Sequence, residues 1–286
     1  MSAARDVAVE ITKNGLMAIP TLRDYRISKT RTSLTFAPDA LERYAFAQLN
    51  LVRRVLGDIR DRSIVEIGPG DHLGSGLSFL AAGAATYTSI DRFPGNYRGE
   101  SAKQWYAGIR DAWPSHYPDL PWLRDLDPGT FPEAYSSRVT SIGMPIERYA
   151  PASRFDVVFS FDVGEHVSDI WEFARATSRL LNPNGTAIHR VNFGPHGCWE
   201  QYPDPLIFLR FPDWCWQLMG SHRGLPNRRR FHELADAFDK AGLTTEVLNR
   251  QVFDTYVDPR RLTRRFQSMP LDSLTTSSAV FVCRHR

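Results

Sequence analysis

The sequence is short of cysteine, of long apolar runs and of excess charge. Only Cys198, Cys215 and Cys283 occur in 286 residues, with no Cys-x-x-Cys spacing. So few cysteines, in odd number, argue against a disulfide framework and favour a reducing, cytoplasmic compartment. No 18-residue apolar run is present, and the first 20 residues contain no apolar stretch of signal-peptide length. We therefore expect a soluble, cytoplasmic protein with no membrane partner.

The charges are nearly balanced, with a formal net charge of +3. A dedicated nucleic-acid binder is usually far more basic, so nucleic acid is not expected as a partner. Several arginines nevertheless cluster late in the chain, namely Arg223, Arg228, Arg229, Arg230, Arg260, Arg261, Arg264 and Arg265. We predict solvated helix faces for them, because such runs are common on surfaces and no stacking aromatics accompany the last four. An anion-binding or nucleic-acid-binding surface is the alternative.

Strand patterns alternate with helix patterns over most of the chain. Strands are predicted at IVEI, ATYTSID, SRVTSIG, RFDVVFSFD, TAIHRVNF, LTTEVLN and SSAVFVCRH. Helices are predicted to begin at Pro38, shortly after Gly70, at Ser168 with Asp169, and at Asn227. This alternation predicts an α/β fold with a mostly parallel seven-stranded sheet and helices on both faces. No clear crossover precedes the last strand, so we expect it to be antiparallel, at or near the sheet edge.

Two aromatic segments, 93–136 and 194–226, do not follow this alternation. Both come after strand carboxyl ends, where open α/β sheets bind ligands, and their tryptophans argue against disorder. We predict cap insertions whose aromatic side chains mostly pack together. Residues 1–37 are expected to be a loose or partner-dependent lead-in. The predicted organisation is one domain over 1–286, made of an N-terminal helical extension (1–60), a core (61–193), a cap (194–226) and the rest of the core (227–286).

The turn VEIGPGD joins the first strand to the next helix. Glycines at 68 and 70 let the backbone approach a ligand, and the helix start offers free N–H groups. A dinucleotide site wants a glycine where Leu73 stands, and Pro69 lacks an N–H, so NAD is disfavoured. Glu66 favours a cationic ligand group, and Asp91 ends the next strand, where it can bond ribose hydroxyls. These features indicate a cofactor with a ribose, a positive amino-acid group and no phosphate.

These motifs, with FDVVFSFDVGEHVSD and LLNPNGTAIHRVNF, resemble the class I S-adenosylmethionine-dependent methyltransferases over residues 60–192. The resemblance implies a Rossmann-like fold and S-adenosyl-L-methionine as cofactor, leaving S-adenosyl-L-homocysteine as product. The site it implies comprises Glu66, Gly68, Pro69, Gly70, Asp91, Arg92, Gly143, Met144, Phe161 and Asp162. In this site Gly68, Gly70 and Glu66 lie next to the methionine part of the cofactor, and Asp91 binds the ribose. The adenine is flanked by Arg92 or by Gly143 with Met144. The sequence departs from the family at His72, where a third glycine is common, and in TSIGMP, which lacks an acidic residue.

Two histidines lie near the end of the fifth predicted strand. Methyl transfer to a hydroxyl needs a base, and a histidine titrates near neutrality. His196, just past the strand end, is the first candidate for that base. His189, inside the strand, is the second, as base or orienting partner, and a hydrogen-bonded core histidine is its alternative. We expect no metal, because Asp162, Asn192 and Cys198 are too few ligands at these strand ends.

The residues after strand four and the second aromatic segment suggest the acceptor. Phe161-Asp162-Val163-Gly164 replaces the Asn-Pro-Pro-Tyr of enzymes that methylate nucleobase amines, and residues 194–226 resemble caps from polysaccharide and natural-product clusters. We predict O-methylation of a saccharide or related small molecule. The alternatives are an RNA or protein methyltransferase and a cofactor-binding module without turnover. A homo-oligomer stays open, and an oxidoreductase is disfavoured by Leu73.

Overall fold

A seven-stranded sheet forms the centre of the computed structural model, which describes residues 3–22, 25 and 40–286. Its strands are β1 (Ser63–Ile67), β2 (Thr86–Asp91), β3 (Val139–Gly143), β4 (Phe155–Phe161), β5 (Leu181–Asn192), β6 (Leu243–Val252) and β7 (Thr276–His285). They lie in the order β3-β2-β1-β4-β5-β7-β6. The first five are parallel, and β7 runs antiparallel between β5 and the edge strand β6. The predicted Rossmann-like sheet with an antiparallel last strand is confirmed.

Helices cover both faces of this sheet. They are α1 (Ala3–Met17), α2 (Ala47–Leu56), α3 (Gly74–Ala81), α4 (Glu100–His116), α5 (Ile170–Leu180), α6 (Asp213–Gly220), α7 (Phe231–Lys240), α8 (Arg264–Gln267) and α9 (Leu271–Thr275). One apolar core packs α2, α3 and α4 on one face, and a second packs α5 and α7 on the other. In the described part of the chain, no helix is long and apolar enough to cross a membrane.

Two predicted helix boundaries are explained by local chemistry. Asp169 is the N-cap of α5, as predicted. Its carboxylate accepts hydrogen bonds from the backbone N–H groups of Trp171 at 2.8 Å and Glu172 at 3.1 Å. Gly57 ends α2 with a φ of 73°, a conformation that glycine adopts without strain. The predicted start of that helix at Pro38 lies outside the described residues, which resume at Ala40 with a π-helical turn (Glu42–Phe46) before α2.

The segment 93–136 is not a cap, which corrects the sequence-based prediction. It contains α4, the crossover between β2 and β3, so it belongs to the strand–helix alternation. Trp105 and Trp113 of this helix are 6% and 1% exposed and pack in the core on the sheet. The prolines and large aromatics of the segment hid the helical pattern, although Pro114 is accommodated near the helix end.

The helix predicted to start at Asn227 begins four residues later, at Phe231. Arg228 has a φ of 60°, which interrupts any helix there. The Asn227 side chain instead donates to the carbonyls of Gly164 and Val167, each at 3.0 Å. Its backbone N–H donates to the carbonyl of Glu165 at 2.6 Å. Asn227 therefore braces the loop after β4.

Two of the arginines predicted to be solvated are buried. Arg228 is 3% exposed and Arg230 fully buried, whereas Arg260, Arg261 and Arg264 are exposed as predicted. The Arg230 guanidinium donates to three backbone carbonyls at 2.6–2.8 Å, those of Phe193, Leu274 and Thr276. Because it joins the end of β5 to the start of β7, Arg230 is part of the core and not of a surface patch.

The aromatic residues of the cap over 194–226 mostly pack together, as predicted, in an apolar core that also includes Leu262, Phe266 and Leu274. Trp199, Phe208 and Trp216 are buried within it, and Trp214 stays 65% exposed. Helix α1 packs on this cap, where the Asn14 amide donates to the Leu218 carbonyl at 3.0 Å. The expectation of a loose lead-in is therefore wrong for residues 3–17. The division of the chain into extension, core and cap within one domain stays a prediction.

Candidate active site

A cavity of about 790 Å³ opens at the carboxyl ends of β1, β4 and β5. This is the edge where the strand order reverses, with β2 on one side of β1 and β4 on the other. Open α/β sheets bind ligands at such a switch point, and the volume suits a small-molecule site. Five predicted cofactor residues line it, namely Gly68, Pro69, Gly70, Phe161 and Asp162.

The glycine turn after β1 forms one wall of the cavity. Gly68 and Gly70 have φ values of 70° and 78°, which side-chain-bearing residues rarely adopt. A Cβ at position 68 would lie 2.6 Å from Cγ2 of Val163, whereas one at position 70 would meet no described atom within 4 Å. The turn therefore packs closely on the loop after β4 at Gly68 and leaves room for a ligand at Gly70.

Glu66 lies beneath this turn and is 2% exposed. Its carboxylate accepts hydrogen bonds from the hydroxyls of Ser75 in α3 and Tyr87 in β2. Burial raises the pKa of Glu66 to about 7, against the lowering effect of these two hydrogen bonds. The residue thus ties the turn to its neighbouring helix and strand, and its predicted contact with a cofactor stays a prediction.

Four predicted residues lie at the ends of β2 and β3. Asp91 accepts the backbone N–H of Gly70 at 3.2 Å and that of Phe93 at 2.7 Å. Gly143 pairs with Asp91 across the strands, and Arg92 and Met144 are exposed beside them. Asp91 therefore both orders the glycine turn and places a carboxylate at its open side.

Asp162 and Arg190 form a charged part of the cavity wall. They are ion-paired, the Arg190 guanidinium lies 4.5 Å from the ring centre of Phe161, and Arg43 approaches Asp162 to 3.9 Å. Burial raises the pKa of Asp162, while Arg190 and Arg43 oppose this rise. The sequence-based prediction did not include Arg43, because it lies about 120 residues from its partner in the chain.

His189 does not reach the cavity. It is fully buried, with Nδ1 2.7 Å from the Ser160 hydroxyl, Nε2 3.3 Å from that of Thr177, and its ring stacked on Phe238. Burial lowers its pKa to about 3, so the imidazole is neutral. The structure supports the core alternative for His189, because a fully buried ring has no route to a substrate.

His196 lines the cavity with 24% of its side chain exposed. Its Nδ1 lies 3.1 Å from the Gly194 carbonyl, which accepts a hydrogen bond only from a protonated Nδ1 and so leaves the lone pair on Nε2. Nε2 lies 3.9 Å from Oε1 of Glu165, and the ring of His166 is 5.2 Å away. Burial, and then the charge of Asp162, raise the pKa of Glu165 to about 8.

Glu165 and His166 are functional candidates to which the sequence-based prediction gave no functional role, although they lie in the motif FDVVFSFDVGEHVSD. Their position in the sequence could have indicated a role, because residues that follow β4 reach the same sheet edge as the end of β5. Other polar lining residues come from distant segments and carried no motif: Tyr44, Gln48, Glu200, Tyr202, Gln251, Ser277 and Ser278.

The family described as "Methyltransferase domain" matches residues 40–248, which is well over half of the chain. The chain belongs to the class I S-adenosylmethionine-dependent methyltransferases. No curated protein matches the sequence. The match covers the strands and turns on which the resemblance rested, and this methyltransferase has S-adenosyl-L-methionine as its cofactor.

Solved structures with a similar fold include phosphoethanolamine N-methyltransferase 2 of Haemonchus contortus in complex with S-adenosyl-L-methionine. The TM-score is 0.50 at 12% identity, over 88% of this chain and 58% of that one. The same enzyme with phosphomonomethylethanolamine and S-adenosylhomocysteine gives 0.49 at 13%, over 84% and 52%. A Mesorhizobium loti methyltransferase gives 0.44 at 15%, over 84% and 98%. At such identities the likeness concerns the fold, and the chain spans little more than half of the Haemonchus enzyme.

The residues at the glycine turn fit the family's cofactor. At Gly70 the backbone faces open space with no side chain in between, and the Asp91 carboxylate stands directly beside it. A carboxylate suits ribose hydroxyls, which donate hydrogen bonds, better than it suits a phosphate.

Proposed function

We propose that this methyltransferase transfers the methyl group of S-adenosyl-L-methionine to a hydroxyl of a saccharide or related polar small molecule. One observation carries the proposal. A histidine whose Nδ1 lies 3.1 Å from a backbone carbonyl, which favours the tautomer with its lone pair on Nε2, stands beside a buried carboxylate in the wall of the cavity that the glycine turn also lines.

The cofactor would be held by two groups of residues. Gly68, Pro69, Gly70, Phe161 and Asp162 line the cavity, and Asp91, Arg92, Gly143 and Met144 lie at the adjoining strand ends. When bound, S-adenosyl-L-methionine supplies a methyl group on a positively charged sulfur, which needs no acid to leave.

The acceptor hydroxyl must lose its proton as the oxygen–carbon bond forms, and we propose that His196 takes it. Its Nδ1 is engaged by the Gly194 carbonyl, so Nε2 is the proton acceptor. The resulting imidazolium faces Glu165 at 3.9 Å, and an ionised Glu165 would stabilise that charge.

A polar, hydroxyl-rich acceptor matches the remaining wall. The polar side chains that face the cavity beyond the cofactor residues offer both donors and acceptors: Gln48, Asn192, Glu200, Tyr202, Gln251, Ser277 and Ser278. Trp199 is buried in the cap and cannot stack on an acceptor. Tyr202 and Phe253 line the cavity, and their rings could stack on it instead.

The experiment compares His196→Gln with wild-type protein on a panel of saccharides and sugar nucleotides. Loss of a general base lowers kcat by roughly 10²- to 10⁴-fold, and we expect unchanged affinity for the cofactor. His222→Gln, on the exposed surface of the cap, is the matched control and should keep full activity. Equal turnover by wild type and His196→Gln would contradict the role of His196 in proton removal.

We also propose a small-molecule partner and a cytoplasmic location. Three unpaired cysteines, two of them buried, suit a reducing compartment. The RNA or protein methyltransferase alternative relied on an arginine-rich face, and the burial of Arg228 and Arg230 weakens that support.

A further inference from the structure

Glu165 is a buried carboxylate whose hydrogen-bonding capacity is not used. It is 3% exposed, and within residues 3–22, 25 and 40–286 neither of its oxygens makes a hydrogen bond of good geometry. Buried polar groups are normally paired, and a carboxylate without a partner is costly. Burial outweighs the backbone N–H groups of Glu165 and Asn192 and the charge of Arg190, which also act on this carboxylate, and its pKa is raised to about 8. The carboxylate could therefore still receive a positively charged partner.

Two imidazoles stand next to that carboxylate. One ligand atom from each of Glu165, His166 and His196 can be chosen so that all three lie within 4.8 Å of one another. Ligands on a tetrahedral ion with bonds of about 2.1 Å lie about 3.4 Å apart, so closure requires side-chain shifts on the order of 1 Å. Rotation of the side chains supplies such a shift without backbone movement.

The backbone around these side chains is fixed in place. Asn227 bonds the carbonyls of Gly164, Glu165 and Val167, on both sides of His166. His196 keeps its Nδ1 on the Gly194 carbonyl and so directs Nε2 towards Glu165. A backbone carbonyl on the far nitrogen is the usual orienting partner of a metal-bound histidine.

We propose that Glu165, His166 and His196 bind a divalent first-row transition-metal ion in the wall of the acceptor cavity. Two imidazoles and one carboxylate suit zinc, iron(II), cobalt or manganese, and three protein ligands leave a coordination position open to the cavity. This proposal reverses the sequence-based expectation of no metal, which considered Asp162, Asn192 and Cys198. No sequence motif marks the site, because two of the ligands lie in the loop after β4 and the third comes from beyond the end of β5.

The role of the ion rests on the proposed transfer to a hydroxyl and replaces the proton-acceptor role of His196. A hydroxyl coordinated at the open position loses its proton to water more readily, so the ion would activate the acceptor, and His196 would then be a ligand instead of the proton acceptor. Asp162 is excluded from the ligand set in this arrangement because it is ion-paired with Arg190.

The test titrates tag-free, chelator-stripped full-length protein with cobalt(II), followed by its visible absorption, and with zinc(II) by competition against a chromogenic chelator. We expect one equivalent bound with micromolar or tighter affinity. Glu165→Gln and His196→Gln should each weaken binding on the order of 100-fold or more, because one of three protein ligands is lost. His222→Gln, which lies outside the cavity lining, should bind as the wild type does.

Binding by Glu165→Gln and His196→Gln equal to that of the wild type, or no binding by the stripped wild type, would overturn the proposal. Circular dichroism of each variant shows that the fold is kept, which we expect because Gln replaces a buried acid without adding charge. Cofactor binding is measured on the same samples. Cofactor binding and transfer without metal binding would overturn the ion alone, whereas metal binding without cofactor binding would overturn the proposed function alone.

Discussion

Replacing Glu66 by Gln tests how the glycine turn is supported. The buried carboxyl has its pKa raised from 4.5 to about 7, mainly by burial. Between these two pH values the folded protein holds a proton that the unfolded chain has released, so stability falls as the pH rises. At 1.36 kcal/mol per pKa unit, the full effect is about 3 kcal/mol.

Gln at this position copies the neutral acid and removes the titration. We therefore expect the free energy of unfolding of Glu66→Gln minus that of wild type to increase by about 2–3 kcal/mol between pH 5 and 8, so that the variant gains relative stability. The difference between the two proteins is the quantity to use, since Glu165, with its pKa raised to about 8, gives wild type and variant the same trend.

Urea unfolding at several pH values, followed by tryptophan fluorescence, measures this difference. A relative stability that does not change with pH would refute the account of Glu66 as a buried acid under the turn. A difference of opposite sign would mean that Glu66 is ionised and stabilised in the folded protein, as a carboxylate facing a cation would be.

Other substitutions separate packing from binding. Gly68→Ala should destabilise the fold by about 2–4 kcal/mol, since the new Cβ adds a contact with Val163 to the backbone strain, whereas Gly70→Ala should cost only about 1 kcal/mol. Gly70→Ala should still weaken cofactor binding at least about tenfold by calorimetry, because its Cβ points into open space beside the turn. Equal effects of both changes would contradict this reading of the turn. Arg230→Met should lower the free energy of unfolding by about 3–5 kcal/mol, measured by urea unfolding, because it leaves buried carbonyls unpaired. The control Arg229→Met, at a partly exposed residue, should lower it by only about 0.5 kcal/mol. Similar losses in the two variants would contradict the burial argument.

The sheet could be predicted from the sequence because its signals are local. The strands carry short apolar or β-branched segments bounded by turn residues, and the order of strands and helices then limits the topology. The cofactor turn was predictable for the same reason, since Gly68 and Gly70 come directly after β1 and Asp91 ends β2. Helix α4 was missed because bulky aromatics and prolines obscured its period.

The features that the sequence did not predict depend on contacts between distant parts of the chain. Arg230 is one of several consecutive arginines in the sequence, and its burial depends on hydrogen bonds to the carbonyls of a residue just after β5, of α9 and of β7. His189 and His196 are seven residues apart, yet one faces a helix layer and the other the cavity. The cluster of Glu165, His166 and His196 forms only when the loop after β4 meets the end of β5.

Calorimetric titration with S-adenosyl-L-methionine, S-adenosyl-L-homocysteine and NAD tests the central claim most directly. The account predicts micromolar binding of the first two, no binding of NAD, and loss of affinity in Asp91→Ala, whose carboxylate orders the glycine turn. Folded protein that binds neither sulfur compound, or that binds them equally well without the Asp91 carboxylate, would contradict it.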